Sequence, residues 1–272
     1  MGRDISADRR APSATCVAPL GAGNPPNEAL TEDRIIALLA QGQMEVLGLL
    51  PWSSNVTFLA LVHDVSLQCL AVYKPQRGES PLWDFPRGTL CRREVAAYLV
   101  SQALGWTFIP PTVLRDGPHG PGSVQLFIDA EPEAHYFTFR DEHLPELQRI
   151  ALFDCLTNNA DRKGGHCLKG KDGRIWAVDN ALTFHTDPKL RTVIWDFAGQ
   201  PIPEGLLQDL RAFGERLARL DPLVETLARL LAAEEMEALK QRLDALLKRA
   251  TFPRPCLLYT SDAADDLLCV DL

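Results

Sequence analysis

Residues 158–166 read Asn158-Asn159-Ala160-Asp161-Arg162-Lys163-Gly164-Gly165-His166, a polar stretch that contains two glycines. The segment before it, Leu144–Thr157, carries apolar residues at helical spacing, including Leu147, Ile150 and Phe153. This spacing predicts a long helix that ends where the polar stretch begins. The stretch is therefore predicted to be a loop that presents an aspartate and a histidine.

A predicted β-hairpin follows this loop. His166–Leu168 and Arg174–Val178 flank a glycine-rich turn sequence, and Asp179 comes directly after the second strand. The hairpin could bring two carboxylates and one imidazole together, a group that suits metal-assisted phosphate chemistry. Taken alone the signal is weak, because an aspartate in a turn is more often a cap.

Lys74 and Glu94 come from the first half of the chain. Lys74 stands near the end of the apolar strand segment Ala71-Val72-Tyr73-Lys74-Pro75, and Glu94 lies in the first turn of a predicted helix, Arg92–Leu104. Each residue also has an ordinary explanation. A lysine at a strand end is usually solvated, and a glutamate in the first turn of a helix is stabilised by the helix dipole. Phosphoryl transfer, however, needs cations, metal-holding oxygens and a carboxylate near the acceptor hydroxyl. The chain presents Lys, Glu, Asp and Asp in the order of a kinase.

The elements around these residues form two unlike halves. The first half has one helix at Leu30–Gln41 and a series of strand patterns, Gln43–Leu50, Val56–Val62, Leu67–Tyr73, Thr112–Leu114 and Ser123–Ile128. The second half is mostly helical, with apolar spacing near Glu204–Leu217, Pro222–Leu231 and Glu234–Lys248. A sheet-rich lobe followed by a helix-rich lobe predicts a two-lobed α+β fold.

Several of these runs resemble known kinases. Residues 161–166 are similar to the D-R-x-x-x-N catalytic loop of phosphatidylinositol 3/4-kinases and HipA-like kinases, and Val178-Asp179-Asn180-Ala181 resembles their metal-binding D-F-G position. The core from Pro51 to about Gln200 resembles an uncharacterised, largely actinobacterial family that is phosphatidylinositol 3/4-kinase-like. Besides the loop, this resemblance rests on Tyr73-Lys74-Pro75, Trp83-Asp84-Phe85-Pro86 and Arg93-Glu94-Val95-Ala96-Ala97-Tyr98.

The resemblance implies a protein-kinase-like fold, with a small antiparallel-sheet N-lobe and a helical C-lobe. It also implies roles for the candidate residues. Lys74 would contact the α- and β-phosphates of ATP, held in place by Glu94. Asp161 would orient or deprotonate the acceptor. His166 and Asp179 would hold Mg²⁺.

Further nucleotide contacts are implied at two places. The first hairpin turn would cover the phosphates through hydroxyl and backbone N–H groups of Ser53, Ser54 and Asn55. An ordinary turn is the alternative there. The segment Gln125–Ile128 would form the lobe hinge and pair with adenine through backbone groups, with Gln125, Phe127 and Ile128 as candidates.

The chain departs from the resemblance at His166, where most relatives place asparagine. An amide oxygen is a hard ligand that suits Mg²⁺, whereas imidazole is softer and favours Mn²⁺ or Zn²⁺. Either the metal preference differs or catalysis is weak. No G-x-G-x-x-G run precedes Lys74, and Phe and Gly do not follow Asp179.

The sequence leaves three functions open. The first is an ATP- and metal-dependent phosphotransferase that acts on a hydroxyl of an unidentified protein or small molecule. The second is a pseudokinase that binds nucleotide and signals through a protein partner, which His166 favours. The third is a nucleotidyl transferase on the same fold.

Bulk composition argues against several other classes. The formal net charge of −8 is not the basic excess that nucleic-acid binding requires. We find no run of about 18 apolar residues that would span a membrane, and no secretory signal. The seven cysteines form no C-x-x-C pair. We therefore expect unpaired thiols and a cytoplasmic protein.

The two ends are expected to lie outside the folded domain. Residues 1–29 mix Gly, Pro, Ser and charges without periodicity, which is typical of a disordered tail. Residues 256–272 begin Cys-Leu-Leu-Tyr-Thr-Ser-Asp-Ala-Ala-Asp-Asp, which matches a transposase sequencing adapter read in frame. We interpret this segment as an artefact, with a genuine acidic tail as the alternative. The predicted kinase-like domain is residues 30–255, with an N-lobe at about 30–130 and a C-lobe at about 131–255.

Overall fold

A computed structural model describes residues 16–17, 30–51, 55–219 and 221–255. In this part of the chain the strands are β1 (Cys16–Val17), β2 (Gln43–Leu49), β3 (Phe58–His63), β4 (Gln68–Pro75), β5 (Thr112–Gly117), β6 (Gly120–Leu126), β7 (Ala130–His135), β8 (Cys167–Gly170) and β9 (Ile175–Ala177). The helices are α1 (Glu32–Gln41), α2 (Leu90–Ala103), α3 (Tyr136–Phe139), α4 (Leu144–Thr157), α5 (Glu204–Ala218), α6 (Pro222–Leu230) and α7 (Ala233–Arg249). Apart from residues 16–17, the predicted N-terminal tail lies outside the described residues, and so does the predicted artefact segment.

The first lobe is built on an antiparallel sheet in the order β2-β3-β4-β6-β5, with β1 beside β4. Burial along β4 alternates residue by residue, so Cys69, Ala71 and Tyr73 enter the core while their neighbours face the other side. Helix α1 packs on the core side with Ile35 and Leu39, both fully buried. Alternation thus sends Lys74 to the side opposite the lobe's own core.

Helix α2 is largely buried and contacts elements of both lobes. Ten of its residues are buried, among them Arg93 and Glu94 in its first turns and Val95 and Tyr98 further along. Gly105 follows the helix at φ +71°, a left-handed conformation that glycine adopts without strain and that ends the helix. A helix with buried charges on both sides of its axis is held by partners from more than one direction.

The second lobe contains the sheet β7-β8-β9 and the helices α4 to α7, which share one large apolar core. Its first two elements, β7 and α3, were not predicted, because residues 130–139 lack a clear apolar period. No helix in the described ranges is long and apolar enough to cross a membrane.

The expectation that all cysteines are unpaired is wrong for Cys16 and Cys69. Their Sγ atoms form a disulfide that joins β1 to β4, where the two residues face each other in register. They are 53 positions apart in the sequence, so strand register rather than local spacing creates the pair. Among the described cysteines, Cys91, Cys155 and Cys167 are free thiols. The expected reducing compartment does not account for this disulfide.

Candidate functional site

The Lys74 ammonium lies between two carboxylates from distant segments. Its Nζ is 2.8 Å from Oε2 of Glu94 on α2 and 2.7 Å from Oδ1 of Asp179 after β9. Burial alone would lower the pKa of Lys74, but the carboxylates of Asp179 and Glu94 raise it above its usual value. The same ammonium holds the pKa of Asp179 well below its usual range. We call these three side chains, one ammonium between two carboxylates, the lysine triangle.

Glu94 is fixed by a second contact as well. Its carboxylate is 1% exposed, and its Oε1 accepts a hydrogen bond from the backbone N–H of Asn180. A buried carboxylate of this kind needs both its ion pair and its hydrogen bond to offset the loss of water. Glu94 thus links α2 to the segment that carries Asp179.

Asp179 has a left-handed backbone, at φ +56°. Non-glycine residues rarely adopt this conformation, which persists where neighbouring structure enforces it and recurs at functional sites. Here the enforcing group is Arg162, which donates to the carbonyl of Val178 at 2.8 Å and to Oδ1 of Asn180 at 2.6 Å. Arg162 therefore holds the residues on both sides of Asp179.

Arg162 and Asp154 form a buried ion pair under the 158–166 loop. Both side chains are 0% exposed, and Nε and Nη2 of Arg162 reach the Asp154 carboxylate at 2.9–3.2 Å. Asp154 also accepts from Asn159 Nδ2 and from Thr192 Oγ1. Both charges are fully hydrogen-bonded, which is the condition under which a buried pair is tolerated. We call this set the arginine frame.

Asp161 lies within the 158–166 loop and is hydrogen-bonded to a residue of the arginine frame. Its backbone N–H donates to Oδ1 of Asn159, and its Oδ2 lies 3.6 Å from Nζ of Lys163. The side chains of Asp161 and Lys163 are 26% and 33% exposed, respectively. The loop thus presents a carboxylate and an ammonium that are both partly exposed to solvent.

His166 lies against Asp179, with Nε2 3.5 Å from Oδ2. Burial lowers the pKa of His166 to about 4 even though the Asp179 carboxylate opposes this effect, so the ring is neutral near pH 7. Its Nδ1 accepts the backbone N–H of Lys163 at 3.3 Å. A neutral ring that accepts at Nδ1 carries its proton on Nε2. That proton then faces Asp179.

The fit of a divalent metal can be tested on these groups. Asp179 offers a hard carboxylate oxygen of the kind that Mg²⁺ and Mn²⁺ take together with phosphate oxygens and water. No cluster of three His, Cys, Asp or Glu side chains with metal-binding geometry occurs among the described residues. His166 could ligate through Nε2 only after a change of tautomer, which would give up its bond from Lys163. The Asp179 carboxylate therefore has the chemistry to hold a divalent metal, whereas the His166 ring as placed here is a donor to Asp179.

Of the three residues predicted to cover the phosphates, only Asn55 is among the described residues. Ser53 and Ser54 lie outside the described residues. Asn55 is described, and its Oδ1 accepts the backbone N–H of Ser80 at 2.7 Å. The Asn55 side chain is therefore bonded to the segment that follows β4.

The predicted hinge lies at the end of β6. The Gln125 side chain donates to Thr112 Oγ1 at 2.8 Å, and the N–H of Phe127 donates to the carbonyl of Leu70 at 3.0 Å. Both groups are thus already bonded within the sheet. Of the three predicted residues, Ile128 is the one whose N–H has no backbone partner in the described ranges.

Three residues of this site, Lys163, Asp154 and Arg162, were not predicted from the sequence as functional residues. Lys163 lies two positions after Asp161 in the same loop, a spacing that could have singled it out. Asp154 lies inside an apolar helix, where a carboxylate is rarely buried without a partner. Arg162 directly follows Asp161, but nothing in the sequence connects it with Asp154.

Comparisons with known proteins give both a relative and a fold. No family model matches the chain. The Mycobacterium tuberculosis protein Rv2133c is 43% identical over 256 residues, which cover 80% of this chain and 91% of Rv2133c. Phosphatidylinositol 4-kinase gamma 4 of Oryza sativa subsp. japonica is 33% identical over 96 residues, 30% of this chain and 17% of the rice protein.

Two solved structures share the fold. The Golgi casein kinase with Mn and ADP bound has a TM-score of 0.54 and 16% identity, covering 80% of this chain and 75% of that chain. Hydra Fam20 with sugar has a TM-score of 0.53 and 14% identity, covering 82% and 89%. These similarities confirm the predicted two-lobed, kinase-like α+β fold. By its 43% identity with Rv2133c, which covers 91% of that protein, the chain belongs to the same family as the mycobacterial protein.

Proposed function

We propose that the protein is an ATP- and divalent-metal-dependent phosphotransferase that acts on a hydroxyl of a protein or a small molecule. The observation that carries the proposal is the lysine triangle, in which Lys74 is held at 2.8 Å from Glu94 and 2.7 Å from Asp179. A cation fixed beside a solvent-accessible carboxylate is the arrangement that phosphates and their metal ion require. The kinase-like fold supports the same conclusion, and one neighbour of that fold has Mn and ADP bound.

Each residue then has one task in the transfer. Lys74 binds phosphate oxygens of ATP, Glu94 orients Lys74, and Asp179 would hold a divalent metal ion. When bound, the metal would neutralise charge on the phosphates. Asp161 takes the proton of the acceptor hydroxyl, and the hydroxyl oxygen forms a bond to the γ-phosphorus. At the same time the bond from the γ-phosphorus to the bridging oxygen of the β-phosphate breaks, and ADP leaves.

The adenine would lie between the lobes. Across β3 and β4, Leu59 pairs with Val72 and Leu61 with Leu70, on the same side of the sheet as Lys74. These side chains are partly exposed and apolar, which suits a flat aromatic base. The N–H of Ile128 is the backbone donor that remains for it.

The position of the transferred label tests this proposal. With ATP labelled at the γ-phosphate, the purified chain is expected to label itself or an added acceptor in the presence of Mg²⁺ or Mn²⁺. Asp161→Asn should lower the rate by about 10²–10⁴-fold, the usual contribution of a general base, and leave nucleotide affinity unchanged. The acceptors to try are serine-containing proteins, small polyols and, given the partial similarity to the rice enzyme, phosphatidylinositol. Transfer of an α-phosphate label would instead indicate a nucleotidyl transferase.

A second candidate function is nucleotide binding without transfer. The observation that favours it is the neutral His166 ring, whose Nε2 proton faces Asp179 and withholds a lone pair from a metal. This candidate predicts metal-dependent nucleotide binding and no transfer of either label to any acceptor. A transfer rate that Asp161→Asn abolishes would exclude it.

A further inference from the structure

Arg93, the residue before Glu94, is buried with partners from both lobes. Its side chain is 1% exposed. Its Nη2 is ion-paired with Glu235, and its Nη1 donates to the carbonyl of Thr183 at 2.5 Å. Its Nε donates to Thr89 Oγ1 at 3.2 Å. The Arg93 guanidinium thus links the start of α2 to the segment after Asp179 and to helix α7 of the second lobe.

The neighbouring groups make this contact rigid. The Arg93 guanidinium lies 4.9 Å from the ring centre of Phe85, a geometry for a cation–π contact. The Glu235 carboxylate is 12% exposed, and its Oε2 also accepts the N–H of Ala232 at the start of α7. Glu235 is therefore fixed at a helix N-terminus, where a carboxylate is favoured.

Adjacent residues on a helix point about 100° apart, so Arg93 and Glu94 leave α2 in different directions. Arg93 reaches α7 and Thr183, while Glu94 reaches Lys74 and the N–H of Asn180. If α2 rotated or moved outward, Glu94 would leave Lys74. The same movement would pull a buried guanidinium away from Glu235, which is strongly unfavourable.

We propose that Arg93, anchored by Glu235 on α7, is a positioning residue that keeps Glu94 on Lys74. The inference deepens the proposed function, since the lysine triangle is the site that it serves. It has one consequence for regulation. The Lys74–Glu94 pair is assembled in the free chain, without a partner protein or a modification that pushes α2 inward.

Amide hydrogen exchange tests the anchor without any nucleotide. The N–H of Asn180 donates to Glu94, so its exchange reports whether Glu94 stays in place. In Glu235→Gln, exchange at Asn180 and in the first turn of α2 is expected to rise about tenfold or more through local opening. Glu234→Gln, an exposed neighbour on the same helix, is the matched control and should leave this exchange unchanged.

A stability control separates anchoring from general weakening. Met236 is buried, so Met236→Ala opens a gap in the α7 packing and lowers Tm while both members of the Arg93–Glu235 pair are retained. At equal distance below Tm, Glu235→Gln should raise exchange at Asn180 more than Met236→Ala does. Equal exchange in these two variants would overturn the proposal.

A paired replacement covers the case in which Glu235→Gln folds poorly. Arg93→Met with Glu235→Met removes the polar anchor but fills its space with apolar groups, a change that buried ion pairs often tolerate. A folded double variant with fast Asn180 exchange supports the anchor, and one with wild-type exchange contradicts it. Because no ATP is present, this result is independent of whether the chain transfers phosphate.

Discussion

The arginine frame and the lysine triangle lie side by side, yet they are built in opposite ways. The frame is buried, with Asp154 and Arg162 both 0% exposed, and all of it lies in the second lobe, with Thr192 joining residues 154–162 from a later segment. The triangle joins residues 74, 94 and 179, and its Lys74 and Asp179 side chains are 20% and 45% exposed. This contrast indicates that the frame provides rigidity, whereas the triangle keeps charge accessible to a ligand. Substitutions should therefore affect stability in the frame and binding in the triangle.

Replacement of Arg162 in the frame is expected to lower the unfolding free energy more than any other change considered below. Arg162→Met leaves the Asp154 carboxylate buried without its cation, which costs about 3–5 kcal/mol of unfolding free energy. Replacing Asp154 by Leu in the same chain should recover part of that loss, because no charge is then left unpaired. Urea unfolding of both variants measures this. A loss below about 1 kcal/mol in Arg162→Met, the range of exposed pairs, would show that the frame does not carry the loop.

The next effect concerns pH. Burial lowers the pKa of His166 to about 4, below the value of 6.5 for a free side chain. Between these values the unfolded chain binds a proton that the folded protein does not, so stability should rise with pH across this window. The slope is at most about 1.4 kcal/mol per pH unit. Stability falls as pH drops below 6.5.

His166→Asn provides the comparison, since asparagine does not titrate. Urea unfolding at pH 4.5 and at pH 6.5 should show a smaller pH dependence in the variant than in the wild type. An identical pH dependence in both proteins would mean that the ring is not kept neutral by its surroundings.

Lys163 tests the border between the two regions, because it extends from the frame's loop towards Asp161. Lys163→Ala should lower the rate of phosphate transfer about tenfold, a loss equal to about 1.4 kcal/mol, and leave ATP affinity within a factor of about two. Steady-state kinetics separate kcat from KM. Lys171→Ala, which removes a half-exposed lysine from the β8–β9 turn, is the control. A change in KM alone would assign Lys163 to nucleotide binding.

The residues of the triangle could be named as candidates from the sequence, whereas those of the frame could not. Lys74, Glu94 and Asp179 could be named because a strand end, a helix start and a hairpin end are local features, and their order is that of a kinase. Contacts within the frame could not, since Asp154 looks like any residue of helix α4 until Arg162 and Thr192 come near it. The neutral tautomer of His166 depends on the N–H of Lys163, and the Cys16–Cys69 disulfide depends on sheet register.

The smallest expected stability effect is in the triangle. Asp179→Asn should change the unfolding free energy by no more than about 1 kcal/mol, because the ion pair is partly exposed. Asparagine also tolerates the left-handed backbone at this position better than most residues. Thermal unfolding checks this prediction. A loss as large as that of Arg162→Met would erase the distinction between the two regions.

Whether the lysine triangle is a nucleotide site can be decided by calorimetry of ATP binding to the purified chain, with Mg²⁺ and then Mn²⁺, in the wild type and in Asp179→Asn. We predict binding that requires a divalent metal and that weakens at least tenfold in Asp179→Asn. Equal affinity in the two proteins, or no ATP binding with either metal, would contradict the assignment of a nucleotide site to the lysine triangle.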